Sequence, residues 1–403
     1  MDIIKLVLIF SCIIVVMKFN KPLYLSISVG IVATIILYKI NLLKSIELMG
    51  AATFSKDTIY LVLAFYSITF LQRMLEKRGH IMLAEKSLSN LFDSRRVNAM
   101  VAPFIIGLLP SPGAVLIAAP IVNNAGGNYI TREEKTFVTS YFRHISELFL
   151  PTYSSILLAL SLSHIDMTAF VLGMLPMVVV LFLLGYFFYV RKIPKETGIP
   201  KSNDNPQDIK NLIISLWSIV LTISIILVFK IPVHLAVIPV IILSIFFNKF
   251  SFKEIRPMFK SAFEAKMIFI TVVIMMFKQI ITYSGVIQRL PIYFSLLPIS
   301  PAIIFTLIFF FGTFLAGSQA IIALAMPIAF ATVPNGGLGL MLCLMCMTYI
   351  ASQVSPTHIC LAIVTEEYGV QFKDLVKKTM PIVLSFVLIS SLYSYLVFLV
   401  FEL

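Results

Sequence analysis

Charge is scarce in this sequence. Asp, Glu, Lys and Arg make up 12% of its 403 residues, while 59% are hydrophobic and mean hydropathy is +1.00. A soluble domain of this size carries about twice that share of charge, so a soluble fold is excluded. The period-2 alternation of a membrane β-barrel is missing as well. No HExxH, GxSxG or GxGxxG occurs, and no phosphate-binding loop of the nucleotide-hydrolase kind. An enzyme and direct ATP drive are therefore not expected. Cysteine is sparse: Cys12, Cys343, Cys346 and Cys360 all lie in apolar runs. Cys343 and Cys346 form a CxxC on a continuous apolar segment without Cys or His partners beside it, and read as packing residues. A cleavable leader is not evident, because the first apolar run leads straight into a second without an A-x-A-like end. No cofactor is expected, and no metal beyond a coupling Na⁺.

What is present is apolar length. A hydrocarbon core of ~30 Å needs roughly 20 helical residues, and backbone in lipid must satisfy itself as helix. Spans are predicted at 3–19, 22–40 and 57–75, followed by an amphipathic stretch at 78–92. An apolar segment, 98–121, is broken by Pro110-Ser111-Pro112-Gly113. The long segment 132–163 is broken near Pro151, and 167–190 is a further span. The polar, Pro-rich 191–210 reads as a solvated linker. Spans then follow at 211–229, 232–248 and 262–282, with an amphipathic piece at 284–296. The segment 300–333 is broken near Gly317-Ser318-Gln319, 338–368 is broken at Ser355-Pro356, and 378–402 closes the chain.

The two halves, 1–190 and 211–403, run in the same order. Pro151-Thr152 matches Pro356-Thr357 at an offset of 205 residues; Ser111 matches Ser318 and Pro120 matches Pro327 at 207; Gly126-Gly127 matches Gly336-Gly337 at 210. Four matches in order point to an internal repeat. If each broken apolar segment is a re-entrant hairpin, each half has five crossings, and the second half is inverted. The fold class expected is thus all-α integral membrane, with about ten transmembrane helices plus two re-entrant hairpins in two inverted-topology repeats. With both termini outside, 23 of the 31 Lys and Arg fall on the cytoplasmic side and six outside, and Arg143 and Lys278 lie within spans. Basic residues gather in cytoplasmic loops of membrane proteins, so the split supports this orientation in the plasma membrane. The net charge of +12 is then a topology signal rather than a nucleic-acid surface.

Inverted repeats with broken helices point to a transport site near the midplane. A break frees backbone N–H and C=O groups that lipid cannot satisfy; helix N-termini favour anions, while exposed carbonyls with hydroxyls favour Na⁺. The first tip offers Ser111, Pro112 and Gly113, and the second offers Ser318 and Gln319. The blander reading is that Gly and Pro only kink ordinary spans. The second pair of breaks offers Thr152 and Ser154, and Ser355 and Thr357. These hydroxyls either meet a solute or cation, or back-bond within their own helices. Arg143 and Glu147 lie i,i+4 at roughly 18 and 24 Å along the helix that starts near Thr131. They are a buried structural ion pair, or an anion anchor with a proton or cation site. His144 and His358 are open to proton-linked use or to packing.

The pattern resembles the ion transporter superfamily, which includes citrate- and dicarboxylate-type permeases, over nearly the whole chain. Within it, PSPGA at 110–114 and SQVSPTH at 352–358 are most similar to a family known only as domain of unknown function 401. The resemblance implies a site between the hairpin tips and the following broken helices, usually for an organic anion with Na⁺ or H⁺. Dicarboxylate carriers of this class have Ser-Asn-Thr at both tips. Here the tips read Ser111-Pro112-Gly113 and Ser318-Gln319-Ala320, so those ligands do not carry over intact. The function expected is a secondary permease for a small anionic solute; a channel-like or accessory subunit and an intramembrane enzyme are the rivals. The partners expected are the solute and membrane lipid, without nucleic acid, and a homodimer is left open.

Overall fold

A computed structural model describes residues 2–19, 21–91, 94–108, 114–196, 205–286, 289, 292–293, 298–333 and 335–401. The fold is all-helical, with 84% of residues in helix, and no strand occurs among the described residues. Among the described residues, five helices are long and apolar enough to cross a membrane, and several shorter apolar ones accompany them. The protein is a multi-pass membrane protein. Its exposed surface is apolar at helical spacing: Leu25, Val29, Val32 and Ile36 form one stripe, and Leu235, Ile238, Ile242 and Phe246 another. Such stripes on an unpartnered helix face lipid tails.

In the first half, α1 (Asp2–Lys18) and α2 (Leu23–Leu37) pack together. A short amphipathic helix, α3 (Leu42–Thr53), follows; Asn41 caps it by accepting from the N–H of Leu43. Next, α4 (Lys56–Lys77) starts at the Ser55 cap, with Asp57 in its first turn and Lys77 in its last, both complementing the helix dipole. After α5 (His80–Leu91) come α6 (Arg95–Gly107) and α7 (Ala114–Gly126), which pack against each other. The long broken segment is α8 (Arg132–His144), a 3-10 turn Ile145–Leu148, and α9 (Ser154–Ser163); α10 (Met167–Phe188) ends the half.

The second half comprises α11 (Asn205–Phe229), α12 (Val233–Phe247), α13 (Phe252–Ala262), α14 (Ala265–Tyr283), α15 (Pro301–Ala316) and α16 (Ser318–Thr332), then α17 (Gly337–Ser352), α18 (Ile359–Tyr368) and α19 (Phe372–Phe401). The sequence reading missed α3 and α13. Both are 11–12 residues long and carry polar residues through much of their length, too short and too wet to register as spans. Most of the amphipathic piece expected at 284–296 lies outside the described residues.

Left-handed backbone recurs at matching places in the halves. Lys39 and Lys249 have φ 52° and 49°, Gly79 and Gly285 65° and 69°, Gly127 and Gly337 47° and 39°, and His164 and Gly369 58° and 59°. The helices also exchange partners across the halves. α2 packs on α14 while α12 packs on α4; α3 meets α14 while α13 meets α4; α9 meets α16 while α7 meets α18.

Candidate functional site

The site forms where the breaks meet. α8 carries a capping box at its start, Thr131 with Glu134, so its register is fixed from the polar end. From Thr136 to His144 every residue is buried. Its helical bonding stops at the 3-10 turn, and Ser146 and Tyr153 both donate from their hydroxyls to the carbonyl of Gly107, the last residue of α6. In the second half Ser355 donates to the carbonyl of Phe314 near the end of α15. Each break thus holds the helix before it in its own half, α6 or α15, by satisfying a carbonyl that the helix end leaves free.

Two cavities flank this core. One, of about 430 Å³, is lined by Ser154, Ser318, Gln319, Ser355, Thr357 and His358 among others. Three helices begin on it: α9 at Tyr153, α16 at Gly317 and α18 at His358, and none has a side-chain cap. Gly317 sits at φ 86°, ψ 158°, a backbone region that only glycine occupies without strain, and it turns α15 sharply into α16. Gln319 donates to the Ser154 hydroxyl at 2.8 Å, joining the second hairpin tip to the break of the first half. Ser355 and Thr357 share a hydrogen bond at 2.8 Å.

The other cavity, of about 470 Å³, is lined by Thr152, Arg143, Cys360 and, at its charged end, Arg73, Glu76 and Glu264. Arg73 pairs there with Glu76 at 3.0 Å and with Glu264 at 3.3 Å, so α4 is tied to the segment before α14. Glu147, Tyr153 and Ser154 line both cavities. Arg143, 2% exposed, donates to Glu147 at 2.6 Å and stands 3.8 Å from the Cys360 sulfur. The His144 and His358 rings meet edge to face at 4.7 Å.

The residues singled out in the sequence divide accordingly. Ser154, Ser318, Gln319, Ser355, Thr357 and His358 share the first cavity, Arg143 and Thr152 line the second, and Glu147 lines both. His144 is fully buried behind them. Ser111, Pro112 and Gly113 lie outside the described residues. Sequence reasoning missed Tyr153, Cys360, Gly107 and Arg73. Tyr153 had one available signal: it stands 205 residues before His358, the same offset as the matched prolines.

Buried breaks, helix starts around a polar cavity and an apolar exterior define a multi-pass helical membrane fold with polar cavities inside. A crystal structure of the YdaH transporter from Alcanivorax borkumensis is similar to it, with a TM-score of 0.62 over 88% of each chain at 11% identity, a likeness of fold alone. The family model described as protein of unknown function DUF401 matches residues 3–401, and the chain belongs to that family. Curated protein sequences give no match.

Proposed function

We propose that this chain is a secondary active transporter of the plasma membrane, a permease that moves a small anionic solute coupled to Na⁺ or H⁺. The observation that carries this is the first cavity: three uncapped helix N-termini converge on it. Each N-terminus presents free N–H groups and a partial positive charge, which together favour an anion without a lone buried cation. The Ser318 and Ser154 hydroxyls and the Gln319 amide supply directional donors beside them. Arg143 is already neutralised by Glu147 and lines the other cavity, so the helix starts are the anion's main partners in this reading. Glu147, on the wall between the cavities, is where a coupling cation is balanced.

The architecture that goes with this function is two inverted repeats, residues 1–190 and 211–403, joined by a cytoplasmic linker at 191–210. About ten helices cross, two hairpins re-enter, and both termini lie outside. The matched left-handed residues, the exchanged helix partners and the 23-to-6 distribution of basic residues support it. Substituting Asn203→Cys tests the orientation: labelling by an impermeant reagent added outside intact cells overturns it.

The functional test is purified protein in liposomes, screened with small carboxylates. Uptake that follows an imposed Na⁺ or H⁺ gradient supports the permease. Flux that is passive, or that needs a partner protein, favours a channel-like or accessory subunit instead.

A further inference from the structure

We infer that the two broken helices together carry a binding site for a borderline-soft divalent transition metal such as Zn²⁺, with His144, His358 and Cys360 as ligands. One ring nitrogen of each histidine and the Cys360 sulfur lie within 4.8 Å of one another. The sequence gives no hint of this set, because His144 belongs to the first half and the other two to the second.

The ring chemistry follows from the hydrogen bonds. His144 Nδ1 lies 2.6 Å from the carbonyl oxygen of Ser140, and His358 Nδ1 lies 3.2 Å from that of Ser352. A carbonyl oxygen only accepts, so each neutral ring carries its proton on Nδ1 and presents a lone pair on Nε2. Backbone carbonyls that fix the far nitrogen in this way are the usual supports of metal-binding histidines. His144 Nε2 is buried and has no hydrogen-bond partner among the described residues. It stands 3.8 Å from Glu147 Oε1. That oxygen also accepts from Arg143, so the unsatisfied group is the His144 lone pair, and a cation held there would satisfy it while Glu147 stands close enough to share the added charge.

The donor set suits the metal class. Two imidazoles, a thiolate and a carboxylate oxygen are a tetrahedral set for Zn²⁺. Zn–N bonds of about 2.0–2.1 Å and Zn–S of about 2.3 Å put neighbouring ligand atoms roughly 3.3–3.7 Å apart, so the cluster closes by about 1 Å when loaded. Arg143, 3.8 Å from the sulfur, faces a ligand that binds as an anion. The site is reachable: Cys360 and Glu147 line one cavity, and His358 and Glu147 the other. Loading would staple α8 to α18, one broken helix from each half.

The test needs no transport assay, so it stands or fails separately from the permease reading. Purified full-length protein is titrated with Co²⁺ and followed by absorption. The expected result is a thiolate-to-metal charge-transfer band, displaced by Zn²⁺, with affinity lowered roughly tenfold or more in Cys360→Ser and in His358→Gln. The metal-free melting temperature of each variant checks its folding. Wild-type protein provides a second readout that depends on no variant: Zn²⁺ should protect Cys360 from alkylation while the exposed Cys12 stays reactive, as mapped by mass spectrometry. Equal alkylation of Cys360 with and without Zn²⁺, or an unchanged Co²⁺ band in a well-folded Cys360→Ser, overturns the site.

Discussion

Arg143 donates to Glu147 at 2.6 Å, but the two differ in exposure: the guanidinium is 2% exposed and the carboxylate 19%. Arg143 thus depends on Glu147 more than the reverse. Glu147→Gln leaves a buried charge without its counter-ion and should cost about 3–5 kcal/mol of stability. Adding Arg143→Met should restore much of it, because no lone charge remains. On the permease reading the double variant folds but loses coupled uptake. Melting temperature and uptake are measured for both singles and the double; full coupled transport by a well-folded double variant would show the pair to be structural only.

Gly317 is a second test position. At φ 86° and ψ 158° a side chain costs on the order of 1–3 kcal/mol in backbone strain alone. Gly317→Ala should therefore disturb the tip and, on the permease reading, abolish uptake. Gly50→Ala in α3 is the control: a Cβ there meets nothing within 4 Å, and helix propensity favours alanine, so it should hold or raise stability by about 0.5–1 kcal/mol. Equal damage at both positions would count against a special role for the tip.

Gly107 tests the hairpin's seat on α8. A Cβ there would stand 2.0 Å from the Arg143 carbonyl oxygen, so α6 and α8 must separate or shear to admit it. Gly107→Ala should cost more than the roughly 1–3 kcal/mol typical of overpacking, since backbone yields less than a side chain. A thermal melt within error of wild type would refute this close approach.

The Gln319–Ser154 hydrogen bond joins the halves at the first cavity. A typical net hydrogen bond is worth about 1 kcal/mol, so Gln319→Ala should raise KM about fivefold if the bond shapes the solute site. Ser154→Ala combined with it should add little, since both remove the same contact. Strictly additive losses would mean that each residue acts alone.

Glu254 offers a pH test outside the spans. The Arg78 hydrogen bond, followed by the backbone and side-chain bonds of Ser251, lowers its pKa from 4.5 to about 2. A depressed carboxylate stabilises the fold fully above its ordinary pKa and loses that contribution as pH falls toward the folded value. Between about pH 4.5 and 2 the wild type should lose stability more steeply than Glu254→Gln. Parallel pH profiles of melting temperature would remove Glu254 from the acid response.

The long apolar helices and the breaks near Pro151 and Ser355 were legible because apolar length and proline leave local marks. Eight of the residues singled out for binding, Thr152, Ser154, Ser318, Gln319, Ser355, Thr357, Arg143 and Glu147, line one or both cavities. Tyr153 was overlooked, since an aromatic two residues after a proline reads as packing and its repeat match, His358, is a different residue type. Gly107 was hidden because its role depends on which carbonyl approaches it. Cys360 with His144 was hidden because only the fold brings the two halves to one point. α3 and α13 escaped because an amphipathic helix lying along a surface lacks the long apolar run that marks a crossing.

The exchange of helix partners also bears on how the chain is made. α2 packs on α14, about 230 residues further along, and α4 packs on α12 and α13. At roughly 5–20 residues per second, the ribosome needs on the order of 10–50 s to deliver α14 after α2. During that interval the parts of α2 and α4 that will meet α12, α13 and α14 have only lipid or an insertion factor for company, while α2 already rests on α1 and α4 meets α5 and α9. A product stopped near residue 200 would carry those contact faces permanently uncovered, so the folding of the first half is tied to the arrival of the second.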